Sequence, residues 1–150
     1  MTKDELDFLL PRLLAKWQGR LRLLDWDVSI ICDVGETKPD WGALIQVNEF
    51  AHQARIYYPP DGIERFKSKR VGLLDEPEES IVERSVIHEL LHLVARSQQV
   101  NLTTEIEWAV GRKGILGFNM RSAWSDYQEY WINQLAGILQ TADQGGWVKM

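Results

Sequence analysis

Hydrophobic positions near the start of the chain recur every three or four residues. Residues 3–22 carry leucines and one tryptophan at this spacing, which predicts an amphipathic helix with a local disturbance at Pro11. The positions predicted to be buried are Leu6, Leu9, Leu10, Leu13, Leu14 and Trp17.

The period then changes to two, and β-branched residues become frequent. Residues 26–32 (WDVSIIC), 43–50 (ALIQVNEF) and 54–60 (ARIYYPP) predict three strands. Only the segment AHQ, residues 51–53, separates the last two strands. A connection this short is typical of an antiparallel pair.

Helical patterning returns in the second half of the chain. Residues 61–74 are predicted to form an irregular loop carrying the basic run RFKSKR, and the next helix starts with Asp75 as its N-cap and Glu78 as partner in a capping box. Pro77 is tolerated in the first turn. The apolar face of this helix is Ile81, Val82, Val86, Leu90, Leu93 and Val94.

Two further helices are predicted, a short one over residues 103–112 and a final one over residues 122–140. The final helix offers Trp124, Tyr127, Trp131, Leu135, Ile138 and Leu139 for packing. Helix, strands and then helices predict one α+β domain over residues 1–150, with a mainly antiparallel sheet of about three or four strands.

Composition narrows the class of protein. The 150 residues are 45% hydrophobic and 26% charged, which is typical of a globular domain, and the net charge of −5 argues against general affinity for nucleic acid or acidic membranes. Cys32 is the only cysteine, so no intrachain disulfide forms and a reducing compartment is expected. The first residues lack the apolar run of a signal peptide or membrane span. We therefore expect a cytoplasmic protein.

The stretch VIHELLHLVARS, residues 86–97, carries the candidate chemistry. His88 and His92 are four residues apart on the predicted helix, so they project from one face and can share a metal ion. Glu89 lies about 100° around the helix from His88. It can accept a proton from water at the metal without coordinating the metal itself. The motif therefore predicts two zinc ligands and a general base.

A catalytic zinc site needs a third protein ligand, and the spacing leaves several candidates. His52 lies in the turn between two strands, where an exposed histidine is the more common outcome. Glu105 and Glu107 follow His92 by 13 and 15 residues, and Glu129 follows it by 37. Each glutamate can equally belong to a solvated helix face.

A resemblance favours one of these candidates. HELLH followed by EYWINQLAGIL, residues 129–139, resembles the gluzincin branch of the zincin-like zinc metallopeptidases and small metallopeptidases of phages and prophages. The resemblance implies that Glu129 is the third ligand and that Asn133 orients a ligating histidine. No histidine follows His92, so the third-histidine pattern of metzincins is absent and the SprT-like family fits poorly.

The resemblance implies a zincin-like fold and a zinc-dependent metallopeptidase that acts on a peptide or protein substrate. It also implies that an edge strand, either residues 43–50 or residues 54–60, pairs with the extended substrate. Two alternatives remain. One is a zinc-binding module that recognises a protein without turnover, and the other is a prophage regulatory protease.

Other polar groups have weaker assignments. Tyr127, Tyr130, Arg121 and His52 are candidate donors to a developing oxyanion, although each such residue is more often a packing or surface residue. The basic run at residues 65–70 can bind an acidic partner, but a solvated loop is favoured because no nucleic-acid module accompanies it.

Overall fold

The computed structural model describes residues 1–69, 76–110 and 115–145, with side chains described outside residues 97–125. The first helix, α1, spans Lys3–Arg20 and begins with a capping box between Thr2 and Glu5. It continues through Pro11 and ends before Arg22, whose φ of 56° is incompatible with a right-handed helix. All six positions predicted to be buried are buried, which confirms the face of this helix.

Three strands form one mixed sheet. They are β1 (Asp27–Cys32), β2 (Leu44–Asn48) and β3 (Gln53–Tyr58), in the order β1-β3-β2. The predicted antiparallel pairing of β2 with β3 is confirmed, while β1 pairs with β3 in parallel. The sheet is therefore not mainly antiparallel. The chain crosses from β1 to the far edge before the hairpin returns β3 to the centre, so β2 is an edge strand.

The segment after β3 is a helix and not the irregular loop predicted for residues 61–74. Helix α2 spans Gly62–Lys69 and buries Ile63, with Phe66 packed partly against the core. Gly62 lies so close to the Tyr58 ring that a Cβ atom would be 2.7 Å from it, which explains the glycine at this position. Residues 70–75, including the predicted N-cap Asp75, lie outside the described residues.

Helix α3 spans Glu78–Val110 and includes residues 103–110 of the separate short helix that was predicted over residues 103–112, while residues 111 and 112 lie outside the described residues. The prediction of two helices was wrong, because no helix-breaking residue interrupts this part of the chain. Of the predicted apolar face only Val94 is exposed, and Ile87 and Leu91 are buried as well. Helix α3 is therefore buried on more than one side.

Helix α4 spans Ile115–Gln144, longer than the predicted 122–140. Its buried positions in the described region include Ile132, Ala136 and Gln140, with Leu139 partly buried. The large apolar residues predicted to pack are instead exposed, namely Tyr127, Trp131, Leu135 and Ile138, and the side chain of Trp124 lies outside the described residues. The α+β class is confirmed. Among the described residues no helix has the length and hydrophobicity needed to cross a bilayer.

A buried polar cluster fixes α4 against α3 and α1. The Glu83 carboxylate accepts hydrogen bonds from Lys16 Nζ at 2.6 Å and from Trp17 Nε1 at 2.8 Å. Gln140 is 2% exposed, and its Nε2 donates to the Ser80 carbonyl at 2.6 Å. Lys16 also pairs with Asp143 at 2.6 Å. These bonds set the position of α4 along α3.

The cluster makes stability dependent on pH. Burial alone would raise the pKa of Glu83, but hydrogen bonds from Lys16 and Trp17 outweigh it and hold that pKa below its ordinary value. Because the unfolded chain then takes up a proton at higher pH than the folded chain, the stabilisation is complete above about pH 4.5. It is lost as the pH falls further.

We therefore expect Glu83→Gln to lower the free energy of unfolding at pH 7 by about 1.5–3 kcal/mol. The deficit should shrink as the pH falls below about 4.5, because carboxyl groups then begin to take up protons. Urea denaturation of both proteins across this range measures it. Glu79→Gln, on the exposed side of α3, is the matched control and should have little effect. A deficit that stays constant from pH 7 to the acid range would contradict this assignment.

Candidate metal centre

Helix α3 presents two imidazoles on one face. His88 and His92 are one turn apart, and their ring centroids are 5.1 Å apart with the rings edge to face at 69°. Their helix is held from behind by Leu90 and Leu91, which are buried in the core. The two histidines are therefore fixed side by side without a direct bond between them.

Helix α4 supplies the third group. Glu129 Oε1 lies 2.8 Å from His88 Nε2, and Glu129 Oε2 lies 3.3 Å from His92 Nε2. One donor atom from each of the three residues lies within 4.8 Å of the others, so this group can hold a metal ion. Two ligands at about 2.05 Å from a tetrahedral ion are about 3.3 Å apart. The distance from Glu129 to His92 equals this value, and the distance from Glu129 to His88 is shorter than it.

The electrostatics of the three residues reflect their proximity. Hydrogen bonds from His88 and His92 hold the pKa of Glu129 far below its ordinary value. Burial alone would lower the pKa of His88, but the hydrogen bond to Glu129, the nearby charges of Glu89 and Glu129 and the hydrogen bond with Asn133 together outweigh burial and raise it. The site therefore places a negatively charged carboxylate beside two imidazole nitrogens, an arrangement that favours a cation.

A fourth residue supports this group from α4. Asn133 lies one turn after Glu129, and its side chain hydrogen-bonds to His88. It is therefore placed to restrict the orientation of the His88 ring. Such supporting bonds fix the ring and tautomer of a ligating histidine.

Glu89 lies beside the group formed by His88, His92 and Glu129 but is not one of its three members. Its side chain is only 7% exposed, and the backbone N–H of Ile45 on β2 donates to its carboxylate. Burial raises the pKa of Glu89, partly offset by the nearby His88 and His92. A carboxyl with a raised pKa is better matched to proton transfer near neutral pH than an exposed one.

An open cleft of about 640 Å³ gives access to the site. Helices α3 and α4 form one side, and Leu44, Ile45 and Val47 of β2 form the opposite wall. Because the Ile45 N–H faces Glu89, the edge of β2 that pairs with no other described strand is directed into the cleft. Strand β3 is central in the sheet, so its main chain is already paired on both sides.

The structure does not bring every candidate residue to the cleft. His52 lies in the β2–β3 turn and stacks on Trp26 with ring centroids 4.9 Å apart. Tyr127 and Tyr130 are exposed on α4 and do not line the cleft. The side chains of Glu105, Glu107 and Arg121 lie outside the described residues.

Sequence reasoning missed one wall of the cleft. Trp41, in the connection between β1 and β2, and Phe66 and Lys69 on α2 all line it. The spacing of Ile63 and Phe66, three residues apart, was the available signal for α2. The five charged or polar residues around them favoured a loop instead.

The fold and the site define an α+β domain with a two-helix, three-residue group able to hold a metal ion. Comparison with protein-family models, with curated proteins and with solved structures finds no match to this chain. The function is therefore inferred from the site.

Proposed function

We propose that this protein is a zinc-dependent metallopeptidase. His88, His92 and Glu129 hold the metal, and Glu89 is the general base in hydrolysis of a peptide bond. The observation that carries the proposal is the convergence of the three ligand atoms within 4.8 Å beside a buried glutamate in an open cleft.

The donor set favours zinc among the divalent metals. Two imidazole nitrogens and one carboxylate oxygen are a ligand set found in catalytic zinc sites that keep an open position. When bound, zinc polarises a carbonyl oxygen and lowers the pKa of water at the site toward about 7. This chemistry makes hydrolysis at neutral pH accessible.

The protein's own residues supply the remaining steps. Glu89, held by the Ile45 N–H, is oriented to accept the proton of the attacking water and then to deliver it to the leaving amine. Apart from the Ile45 N–H, which donates to Glu89, the outer edge of β2 offers main-chain groups to an extended substrate, in the manner of strand addition. Burial of Glu89 excludes bulk water from this carboxylate.

The first test combines metal content with turnover. We expect purified protein to contain about one zinc ion per chain and to cleave a fluorogenic peptide library, with chelation stopping cleavage and zinc restoring it. Protein that holds a full complement of zinc but cleaves no member of a broad library would contradict the proposed peptidase function.

Asn133 provides a test of the ligand geometry. Asn133→Leu preserves the side-chain size but removes the hydrogen bond to His88, so we expect zinc affinity to fall about 10- to 100-fold. Competition with a chromophoric chelator measures the affinity. Gln134→Leu, at the next position of α4 and outside the cleft lining, is the matched control. Equal affinity of Asn133→Leu and the parent would remove Asn133 from the site.

A second candidate function is a zinc-binding module that recognises another protein without turnover. It is favoured by the large apolar side chains exposed on α4, which include Trp131 and Ile138. Under this alternative Glu89→Gln would leave partner binding intact and no peptide would be cleaved. Cleavage that depends on Glu89 decides against it.

A further inference from the structure

The described part of the basic run, residues 65–69, lies on a helix beside the cleft and is not a solvated loop. Arg65, Phe66 and Lys69 lie on helix α2 and line the cleft that contains the metal group. Residues 65 and 69 are four apart, so both project toward the cleft from one helix face. The run therefore has a position from which it can contact a molecule bound at the site.

Among the side chains that line the cleft, cationic groups outnumber carboxylates. Four lining residues are cationic, namely Arg65, Lys69, Arg84 and Arg96, while the lining carboxylates are Glu89 and Glu129. Glu129 is already bonded to both imidazoles, and Glu89 is buried. Among the described residues, neither carboxylate forms an ion pair with any of these four cations.

Each of the three arginines pairs with an acidic residue that does not line the cleft. Arg65 pairs with Asp61 at 2.9 Å, Arg84 with Glu76, and Arg96 with Glu49. Lys69 is exposed and makes no ion pair with any residue in the described part of the chain. Its ammonium group is thus the cleft cation most available to a ligand.

The wall around Lys69 is organised by Arg65. The Arg65 Nη1 group donates to the carbonyls of Lys38 at 3.0 Å and Trp41 at 3.2 Å. These bonds tie the connection between β1 and β2, which carries Trp41, to α2, which carries Phe66 and Lys69, and all three residues line the cleft. An ordered wall lowers the entropic cost of holding a ligand there.

We propose that the part of the cleft lined by Trp41, Phe66 and Lys69 is a subsite for an acidic substrate residue. Lys69 is the specificity-determining cation, and Trp41 and Phe66 contact the aliphatic part of the same side chain. The inference rests on the proposed peptidase function and extends it by naming the substrate class, peptides with an aspartate or glutamate close to the scissile bond. Charge complementarity also speeds encounter with such peptides.

The test uses one cleavable peptide with Asp, Asn or Lys placed in turn at each of the three positions on either side of the scissile bond. We expect Asp to raise kcat/KM about two- to fivefold over Asn at one position, the size of effect typical of an exposed ion pair. Lys69→Met should abolish this preference, and Lys69→Glu should shift it toward Lys.

Lys67→Met is the matched control. Lys67 is on the same helix and carries the same charge, but it pairs with Glu78 at 3.6 Å and does not line the cleft. It should keep the parent preference for Asp. Loss of the preference in both variants, or in neither, would overturn the assignment of Lys69.

Binding separates failure of the subsite from failure of the peptidase proposal. Fluorescence anisotropy of labelled Asp and Asn peptides on zinc-loaded Glu89→Gln protein, with and without Lys69→Met, needs no turnover. Cleavage without an Asp preference overturns the subsite and leaves the peptidase. Tighter binding of Asp peptides through Lys69, without cleavage by the parent, keeps the subsite and overturns the peptidase. If Asp peptides bind no more tightly than Asn peptides and no peptide is cleaved, both proposals are overturned.

Discussion

Replacing Glu89 by glutamine is expected to lower kcat for peptide hydrolysis by about 10²- to 10⁴-fold, the usual contribution of a general base. Glutamine has the same shape but cannot accept the proton of the attacking water. Glu89 is not one of the three residues whose atoms converge as ligands, so the variant should bind zinc as the parent does. Steady-state kinetics and metal analysis on the same preparation measure both properties.

The stability of this variant is a further control. Burial raises the pKa of Glu89, which means that the folded chain holds a carboxylate in an unfavourable environment. A neutral glutamine removes that cost, so its melting temperature should equal or exceed that of the parent. If the glutamine variant keeps its zinc and cleaves peptides at the parent rate, Glu89 is not the base.

Glu129→Ala is expected to lower zinc affinity by more than about 100-fold, because losing a ligand costs more than losing a bond that merely orients one. The remaining His88 and His92 leave the metal with two protein ligands. Chelator competition measures the affinity. The absorption spectrum of the cobalt-substituted protein should also change, since it reports the coordination of the ion.

Three variants serve as controls for this prediction. Asp126→Asn removes an exposed carboxylate one turn before Glu129 on α4 and should bind zinc as the parent does. Glu105→Gln and Glu107→Gln test the other glutamates that sequence spacing allowed as ligands. If either of them, and not Glu129→Ala, loses the metal, the third ligand has been misassigned.

Periodicity was sufficient to predict the elements that carry the site. The repeat of leucines in α1 and of apolar residues around His88 predicted two buried helix faces, because a face that packs against the core must be apolar at helical spacing. The alternation in β2 and β3 and their short connection predicted an antiparallel pair. These signals arise from residues close together in the sequence, so a single sequence is enough to detect them.

The predictions that were wrong concern features that depend on contacts between residues distant in the sequence. Nothing local tells β1 to pair with β3 in parallel, since this follows from β2 taking the far edge of the sheet. In α4 the inward face carries Ala136 and Gln140, and the larger Trp131 is exposed. Because the buried face of α4 includes a small residue and a polar one, hydrophobicity alone predicts the wrong face.

The proximity of Glu129 to the histidines could be predicted only through the resemblance. The separation of 37 positions between His92 and Glu129 fixes no distance in space, and the polar cluster around Glu83 that positions α4 has no sequence signature. The basic wall of the cleft was missed for a similar reason, because α2 buries few side chains and its charged residues resemble those of a loop.

Anomalous X-ray scattering at the zinc absorption edge, from crystals of protein prepared without chelators, tests the central claim most directly. The account predicts one strong peak about 2.0–2.2 Å from His88 Nε2, His92 Nε2 and a Glu129 carboxylate oxygen. A peak elsewhere in the molecule, or no peak even after soaking with zinc, would contradict it.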